Sequence, residues 1–146
     1  MNLNYDYFKK KFLIEEFLIF ESDFWFVSLR PLQTTYGSMV ISLKRESNSI
    51  SCLTLDESKN FGEIIYNISK TSERYLKTNL SNMYQLMLVD HYVHWHYFPR
   101  FNHDCDTNKK YDPIGWPNML SNLNETIVND DLSLKDIHNQ IKRYYE

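Results

Sequence analysis

The sequence predicts an α+β fold in which an antiparallel sheet packs against helices. Two patterns lead to this fold class. Aromatic and β-branched runs occur as neighbouring pairs with short connections, which favours antiparallel pairing of strands. Segments with helical spacing of apolar residues flank and separate these pairs. The 146 residues, 42% of them hydrophobic, suffice for a substantial core, so we expect a single domain over residues 1–146.

Three helices are predicted from apolar spacing and capping residues. A short N-terminal amphipathic helix is expected over residues 5–17. A long central helix is expected over residues 56–77, because Thr54 and Glu57 match a capping box. Ser133 is the predicted N-cap of a C-terminal helix. We expect these helices to pack on one side of the sheet.

Five strands are predicted, and they cover residues 18–20, 24–29, 38–44, 83–89 and 92–98. Gln33 and Thr34 lie in the connection of the first hairpin, and Asp90 and His91 are expected to form the tight turn of the second. Residues 102–118 are polar and contain two prolines, which predicts a loop. The core of the domain is therefore expected at about residues 18–101, with the loop and the C-terminal helix over residues 102–146.

Composition argues against several classes of function. A net charge of −3 gives no general attraction to nucleic acid, and the basic run at residues 9–11 is explained by a solvated helix face. Three glycines are too few for the common glycine-rich phosphate loops. No apolar segment reaches the roughly 20 residues that span a bilayer. Because the N-terminus does not resemble a signal peptide, we expect a cytoplasmic protein in which Cys52 and Cys105 are reduced.

The strongest functional signal is a pair of histidines in the last predicted strand. His94 and His96 are two residues apart, so their side chains project from the same face of the strand. Tyr92 and Phe98 share that face, and Trp95 points the other way, towards the predicted core. We expect both imidazoles to face an open cavity that receives a phosphorylated ligand.

Three interpretations of this pair remain open from the residues alone. The first is a pair of solvent-facing polar side chains. The second is a zinc site, which needs further ligands from the nearby residues His91, His103, Asp104 and Cys105. The third is nucleophilic catalysis by a neutral imidazole, with a phosphohistidine intermediate that water cleaves.

Catalysis of this kind assigns a role to each polar residue of the strand. His94 would attack phosphorus, and His96 and Arg100 would stabilise charge on the phosphoryl oxygens. A backbone carbonyl would have to accept a hydrogen bond from the other nitrogen of His94, so that the attacking nitrogen keeps its lone pair. The competing interpretation of Arg100 is a surface cation.

The segment Val93-His94-Trp95-His96-Tyr97-Phe98-Pro99-Arg100-Phe101 resembles the signature of the histidine triad (HIT) superfamily, in the branch that includes diadenosine polyphosphate hydrolases. In this signature, three histidines alternate with apolar residues and precede Pro-Arg and an aromatic residue. The resemblance extends over about residues 24–101. It includes a first hairpin with Gly37, the start of the long helix at residues 53–57, and the strand at residues 82–87.

The resemblance implies an activity and a set of site residues. Members of the family are usually homodimers, and most bind nucleotides and act at the α-phosphate of dinucleoside polyphosphates, nucleoside phosphoramidates or related esters. His94 takes the position of the nucleophile, His96 contacts phosphate, and Asn82 matches an asparagine near the phosphates. The chemistry requires no metal or cofactor, although the substrate can carry magnesium.

Two departures from the family pattern favour an alternative function. Tyr92 stands in place of the first histidine of the triad, and a phenol stays neutral and is bulkier than imidazole. Glu46 stands where many members have a histidine after a basic pair. The alternative is a nucleotide-binding or interaction protein with weakened catalysis on the same scaffold.

Residues of the first hairpin and of the late loop have two interpretations each. Gln33 and Thr34 either touch the base or ribose of a nucleotide or only shape the turn. The aromatic residues at positions 24–26 lie on both faces of their strand. Those on one face could line a purine pocket, although core packing explains each of them. Asp104, Asp106 and Asp112 could bind a metal, and a solvated loop also explains them.

Overall fold

The computed structural model describes residues 4–78, 80–102, 106–113, 121, 123, 126 and 132–146. Within these residues the chain forms a five-stranded antiparallel sheet with helices on both faces. The strands are β1 (Leu18–Glu21), β2 (Trp25–Leu29), β3 (Met39–Leu43), β4 (Leu80–Tyr84) and β5 (His94–Arg100). The helices are α1 (Tyr5–Lys11), α2 (Leu55–Thr71), α3 (Asp106–Tyr111) and α4 (Leu134–Arg143). The predicted α+β fold class is confirmed.

The sheet has the strand order β1-β2-β3-β5-β4. β5 therefore lies in the interior of the sheet, hydrogen-bonded to β3 on one side and to β4 on the other. Ser42 pairs with His94, and Val40 pairs with His96. A strand held on both sides has a fixed register, and register decides which face each side chain occupies. The two histidines are thus presented on one face by the most constrained part of the fold.

The main core lies between one face of the sheet and the helices α2 and α4. Alternate residues of β2, β3 and β5 supply its sheet side, and Ile64, Ile68, Ile137 and Ile141 supply its helical side. The predicted capping box at the start of α2 is present, with reciprocal hydrogen bonds between Thr54 and Glu57. The capping box at Ser133 is also present. The predictions of both helices are confirmed.

The N-terminal helix differs from the prediction in length and position. α1 ends at Lys11, and the chain then turns through Leu13, whose φ of 51° is left-handed. This turn places Ile14, which is fully buried, against the sheet. α1 packs on the histidine face, opposite to α2 and α4, so the expectation of helices on one side only is wrong.

Two segments near β5 also differ from the predictions. The fourth strand begins and ends earlier than predicted, because Leu80 pairs with Arg100 and Tyr84 with His96. Residues 85–93 then form a longer connection in place of a tight turn. The predicted loop over residues 102–118 contains α3, whose last residue, Tyr111, stacks on Tyr36 with ring centroids 4.4 Å apart. Residues 103–105 and 114–118 of that loop lie outside the described part.

Candidate functional site

The two histidines lie side by side on the face of the sheet that α1 covers. Their ring centroids are 4.9 Å apart, and the rings are perpendicular. His94 is 2% exposed, and His96 is partly buried. On the opposite face, Trp95 contacts Trp25 and Phe61 of the main core, as predicted. The alternation expected from the sequence is therefore confirmed.

His94 is held in one tautomer by the backbone just before β5. Its Nδ1 lies 2.6 Å from the carbonyl oxygen of Tyr92. A carbonyl only accepts hydrogen bonds, so Nδ1 carries the proton and the lone pair of the neutral ring lies on Nε2. This is the backbone hydrogen bond that the sequence analysis required for a nucleophilic imidazole.

Both imidazoles are neutral at neutral pH. Burial lowers the pKa of His94, against the opposing effect of the hydrogen bond to Tyr92. Burial lowers the pKa of His96 to about 3, with smaller contributions from the positive charges of His94, Arg30 and Lys11. A neutral imidazole is the form that can act as a nucleophile.

The N-terminal segment covers both rings. Phe8 lies 5.0 Å from His94, and Phe12 lies 5.5 Å from His94 and 5.5 Å from His96, measured between ring centroids. We call residues 4–17 the N-terminal cover. The expectation that the imidazoles face an open cavity is therefore wrong, because two phenylalanine rings pack where the ligand was expected.

Polar contacts at several points hold the N-terminal cover on the sheet. The hydroxyl of Tyr5 donates to the carbonyls of Leu43 and Lys44. Ser28 donates to the carbonyl of Ile14 at 2.6 Å. Lys11 forms an ion pair with Asp90 at 2.7 Å, in the connection between β4 and β5. The closed arrangement thus combines apolar contact over the histidines with bonds at its edges.

Arg100 and Asn82 do not meet the histidines. The guanidinium of Arg100 is fully buried, and its Nε donates to Asp112 at 2.7 Å. Its Nη1 donates to the side-chain oxygen of Asn82 at 2.6 Å. Its burial contradicts the interpretation of Arg100 as a surface cation, and its role as a phosphate ligand stays a prediction. Arg100 joins β5 to the segment that follows α3.

Gln33 and Thr34 build the first hairpin connection. The amide nitrogen of Gln33 donates to the carbonyls of Arg30 and Ser38, and its oxygen accepts from the backbone of Gly37 at 2.8 Å. Gly37 has a φ of 81°, a conformation that glycine adopts readily. Thr34 accepts a hydrogen bond from Arg30. Both residues are buried, which agrees with the structural interpretation of the turn.

No family model and no curated protein matches this sequence. Solved structures do match its fold. A histidine triad protein from Sinorhizobium meliloti superposes with a TM-score of 0.67 at 11% identity, covering 91% of each chain. A histidine triad protein from Bradyrhizobium japonicum gives a TM-score of 0.66 at 15% identity, covering 90% of this chain and 93% of its own.

The chain has the histidine triad fold. A HIT-like protein from Bartonella henselae, described as involved in cell-cycle regulation, matches over 99% of this chain and 98% of its own, with a TM-score of 0.62 at 13% identity. The resemblance stated from the motif is therefore confirmed at the level of the fold.

Tyr92, the first departure from the histidine triad pattern, contacts the N-terminal cover. Its ring packs against Tyr5 and Phe8. Desolvation, together with the negative charge of Glu46, raises the pKa of Tyr92. The tyrosine therefore contributes to closing the site.

Two groups of residues at the site were missed by the sequence analysis. Phe8 and Phe12 belong to the amphipathic helix predicted over residues 5–17, and nothing in their spacing indicates which face of the sheet they cover. Arg30 was not singled out, yet it is 4% exposed and lies over the ring of Phe98 at 5.2 Å. The period-two alternation of β2 could have found it, because Arg30 follows Phe26 and Ser28 on the histidine face.

Metal binding finds no support in the part of the chain that the structure describes. No group of three or more potential ligands comes together there. Asp112 is engaged by Arg100. His103, Asp104 and Cys105, invoked for the zinc and loop sites, lie outside the described residues, as does the side chain of Asp106. Among the described helices, none has the length and apolar character needed to traverse a bilayer.

The buried ion pair predicts a large effect of Asp112→Ala on stability. The substitution leaves the guanidinium of Arg100 buried without its carboxylate, and loss of one partner of a buried pair costs about 3–5 kcal/mol. Urea unfolding should show this loss. Glu73→Ala, which removes the exposed Lys70–Glu73 pair, is the matched control and should leave the unfolding free energy unchanged. Equal effects of the two substitutions would contradict this assignment.

The lowered pKa of His96 predicts a pH dependence of stability. Below pH 6.5 the unfolded chain protonates this imidazole, whereas the folded chain does so only near pH 3. The folded state is therefore destabilised as pH falls through this window, by up to about 1.4 kcal/mol per pH unit. His96→Asn should flatten the dependence of unfolding free energy on pH between 6.5 and 4. An unchanged slope would show that His96 titrates normally in the folded protein.

Proposed function

We propose that this protein is a nucleotide phosphohydrolase or nucleotidyl transferase that acts at the α-phosphate through a phosphohistidine on His94. The observation that carries the proposal is the hydrogen bond from His94 Nδ1 to the carbonyl of Tyr92. Because the lone pair is already on Nε2, this nitrogen can attack phosphorus and needs no general base to activate it. Two matching structures add support: one is described as a histidine triad nucleotide-binding protein from Sulfolobus tokodaii and another as a uridylyltransferase mutant.

The proposed reaction has two displacements. In the first, Nε2 of His94 forms a bond to the α-phosphorus, and the bond from phosphorus to the leaving group breaks with its electron pair. In the second, the oxygen of water or of an acceptor hydroxyl bonds to phosphorus and loses its proton to solvent, and the nitrogen–phosphorus bond breaks with its electron pair returning to Nε2, which restores the neutral imidazole. The carbonyl of Tyr92 stabilises the positive charge that the His94 ring carries while it is bonded to phosphorus.

Reaction requires the N-terminal cover to move. Phe8 and Phe12 pack on the imidazoles, so an α-phosphate reaches Nε2 only when these rings are displaced. A ligand that binds only the open form shifts the equilibrium towards that form. The size of the shift is set by the difference between its affinities for the open and closed forms. The left-handed Leu13, between the phenylalanines and the buried Ile14, is the proposed point at which the cover bends.

A second candidate function is a nucleotide-binding or interaction protein with little catalysis. The closed cover and the packing of Tyr92 on Tyr5 and Phe8 favour it, because both oppose entry of substrate. Calorimetry with nucleoside monophosphates separates the two candidates. Binding without turnover of any dinucleoside polyphosphate or phosphoramidate supports the second candidate and rejects the first. Both candidates keep three predictions made from the sequence. They are a homodimer, by family resemblance, a cytoplasmic location, from the character of the N-terminus, and delivery of the substrate as a magnesium complex.

His94→Ala tests the nucleophile. With dinucleoside polyphosphates and nucleoside phosphoramidates as substrates, we expect turnover to fall by about three orders of magnitude or more, because no intermediate can form. His91→Ala removes an exposed imidazole outside the site and should retain activity. Turnover that survives His94→Ala would contradict the assignment.

Phe12→Ala tests the N-terminal cover. Loss of a buried phenylalanine side chain costs the closed form about 3–5 kcal/mol, and each 1.4 kcal/mol shifts the ratio of open to closed forms tenfold. We expect at least a tenfold rise in kcat/KM at subsaturating substrate. Phe20→Ala, which removes an aromatic ring packed on Tyr145 in the main core, is the matched control. A rise in both variants, or in neither, would count against a specific gating role.

A further inference from the structure

Arg30 is a buried cation on the histidine face. It follows β2, and only 4% of its surface is exposed. Its guanidinium lies over the ring of Phe98 at 5.2 Å, and Phe98 stacks on His96 with centroids 6.3 Å apart. The positive charge of Arg30 is close enough to lower the pKa of His96. Arg30 is therefore part of the same surface as the two histidines.

The charge of Arg30 has no carboxylate partner among the described residues. Its Nη1 donates to the carbonyl of Leu32 and to Thr34, both at 2.8 Å, and its Nη2 donates to the carbonyl of Leu123. These acceptors are neutral. Within the described part of the chain, Nε has no hydrogen-bond partner. Burial without a counter-charge lowers the pKa of Arg30 to about 10.

Arg100 shows how the same fold accommodates a buried arginine that has a structural role. Arg100 meets both oxygens of Asp112 and the amide oxygen of Asn82. A buried charge without a partner is costly, and proteins usually pair it. The contrast between the two arginines indicates that the counter-charge of Arg30 comes from outside the described chain.

Two further polar atoms on this face lack partners in the described structure. They are Nδ1 of His96 and Oγ of Ser42, and both are buried. Ser42 is the neighbour of His94 across β3 and β5. The apolar rings of the N-terminal cover cannot satisfy these groups. The guanidinium of Arg30 and the imidazole of His96 lie near each other on this face, and both can hydrogen-bond to the oxygens of a phosphate group.

We propose that Arg30 is a phosphate-binding residue of this site, and that its guanidinium contacts the phosphate oxygens of a nucleotide bound on the histidine face. The proposal rests on the proposed nucleotide site and extends it. It assigns to Arg30 the contact with phosphate that the sequence analysis gave to Arg100. His96 is the neutral hydrogen-bonding group nearest to it on this face.

The test compares a phosphorylated and an unphosphorylated probe on the full-length chain. The probes are the nucleoside 5′-monophosphate that the wild type binds most tightly and its parent nucleoside. Calorimetry on Arg30→Gln should show about 10- to 100-fold weaker binding of the monophosphate, as expected for loss of a charged hydrogen bond, and unchanged binding of the nucleoside. The affinity of Arg30→Gln for inorganic phosphate alone should fall by a similar factor, because the contact is made to the phosphate group and not to the nucleoside. Arg74→Gln, an exposed arginine away from this face, should bind both probes like the wild type.

Equal affinity of folded Arg30→Gln and the wild type for the monophosphate would overturn the proposal, and so would an equal loss for both probes. If Arg30→Gln does not fold, Arg30→Lys replaces it. The shift in Tm caused by the monophosphate should then be smaller than in the wild type, and an equal shift would overturn the proposal. Arg30-dependent binding without turnover would support this inference while rejecting the catalytic proposal, so the two can fail separately.

Discussion

The hydrogen bond between His94 Nδ1 and the carbonyl of Tyr92 is the interaction on which the chemistry of the site depends. It joins His94, the first residue of β5, to Tyr92 two residues earlier, and the pairing of His94 with Ser42 of β3 fixes the position of the imidazole. The acceptor is a backbone atom, so the bond does not require a histidine at position 92. Replacement of the first triad residue by tyrosine therefore leaves the tautomer of His94 intact, and changes only what surrounds it.

The surface around His94 is polar, whereas the segment that covers it is apolar. The sheet presents imidazole, hydroxyl and guanidinium groups, some of which lack partners among the described residues. The N-terminal cover presents phenylalanine rings. A polar surface closed by an apolar segment is stable only while the cost of the unsatisfied groups is smaller than the gain from aromatic burial. This mismatch is what the proposed opening of the cover by a nucleotide would relieve, because a polar ligand can satisfy groups that the phenylalanine rings cannot.

The sequence predicted the sheet, the long helix and the histidine face because those features follow from local patterns. Alternation placed His94 and His96 together, and the Thr54–Glu57 capping box located the start of α2. The position of α1 was not predictable from the sequence. Its apolar stripe shows that one side of the helix is buried, but does not show which face of the sheet buries it. The role of Arg100 was missed for a similar reason: its partner Asp112 is 12 residues away, beyond a helix that polar composition concealed. Alternation along β2 predicts the face that Arg30 occupies. It does not predict the contact of Arg30 with Leu123, which lies far along the chain.

The tautomer of His94 is the most direct test of this account. Two-dimensional NMR that correlates the ring nitrogens with the carbon-bound ring protons distinguishes a protonated nitrogen from one that holds a lone pair. At neutral pH, in the ligand-free protein, we expect a proton on Nδ1 of His94 and a lone pair on Nε2. A proton on Nε2, or a doubly protonated ring, would contradict the account, because the nitrogen assigned to attack phosphorus would have no lone pair to use.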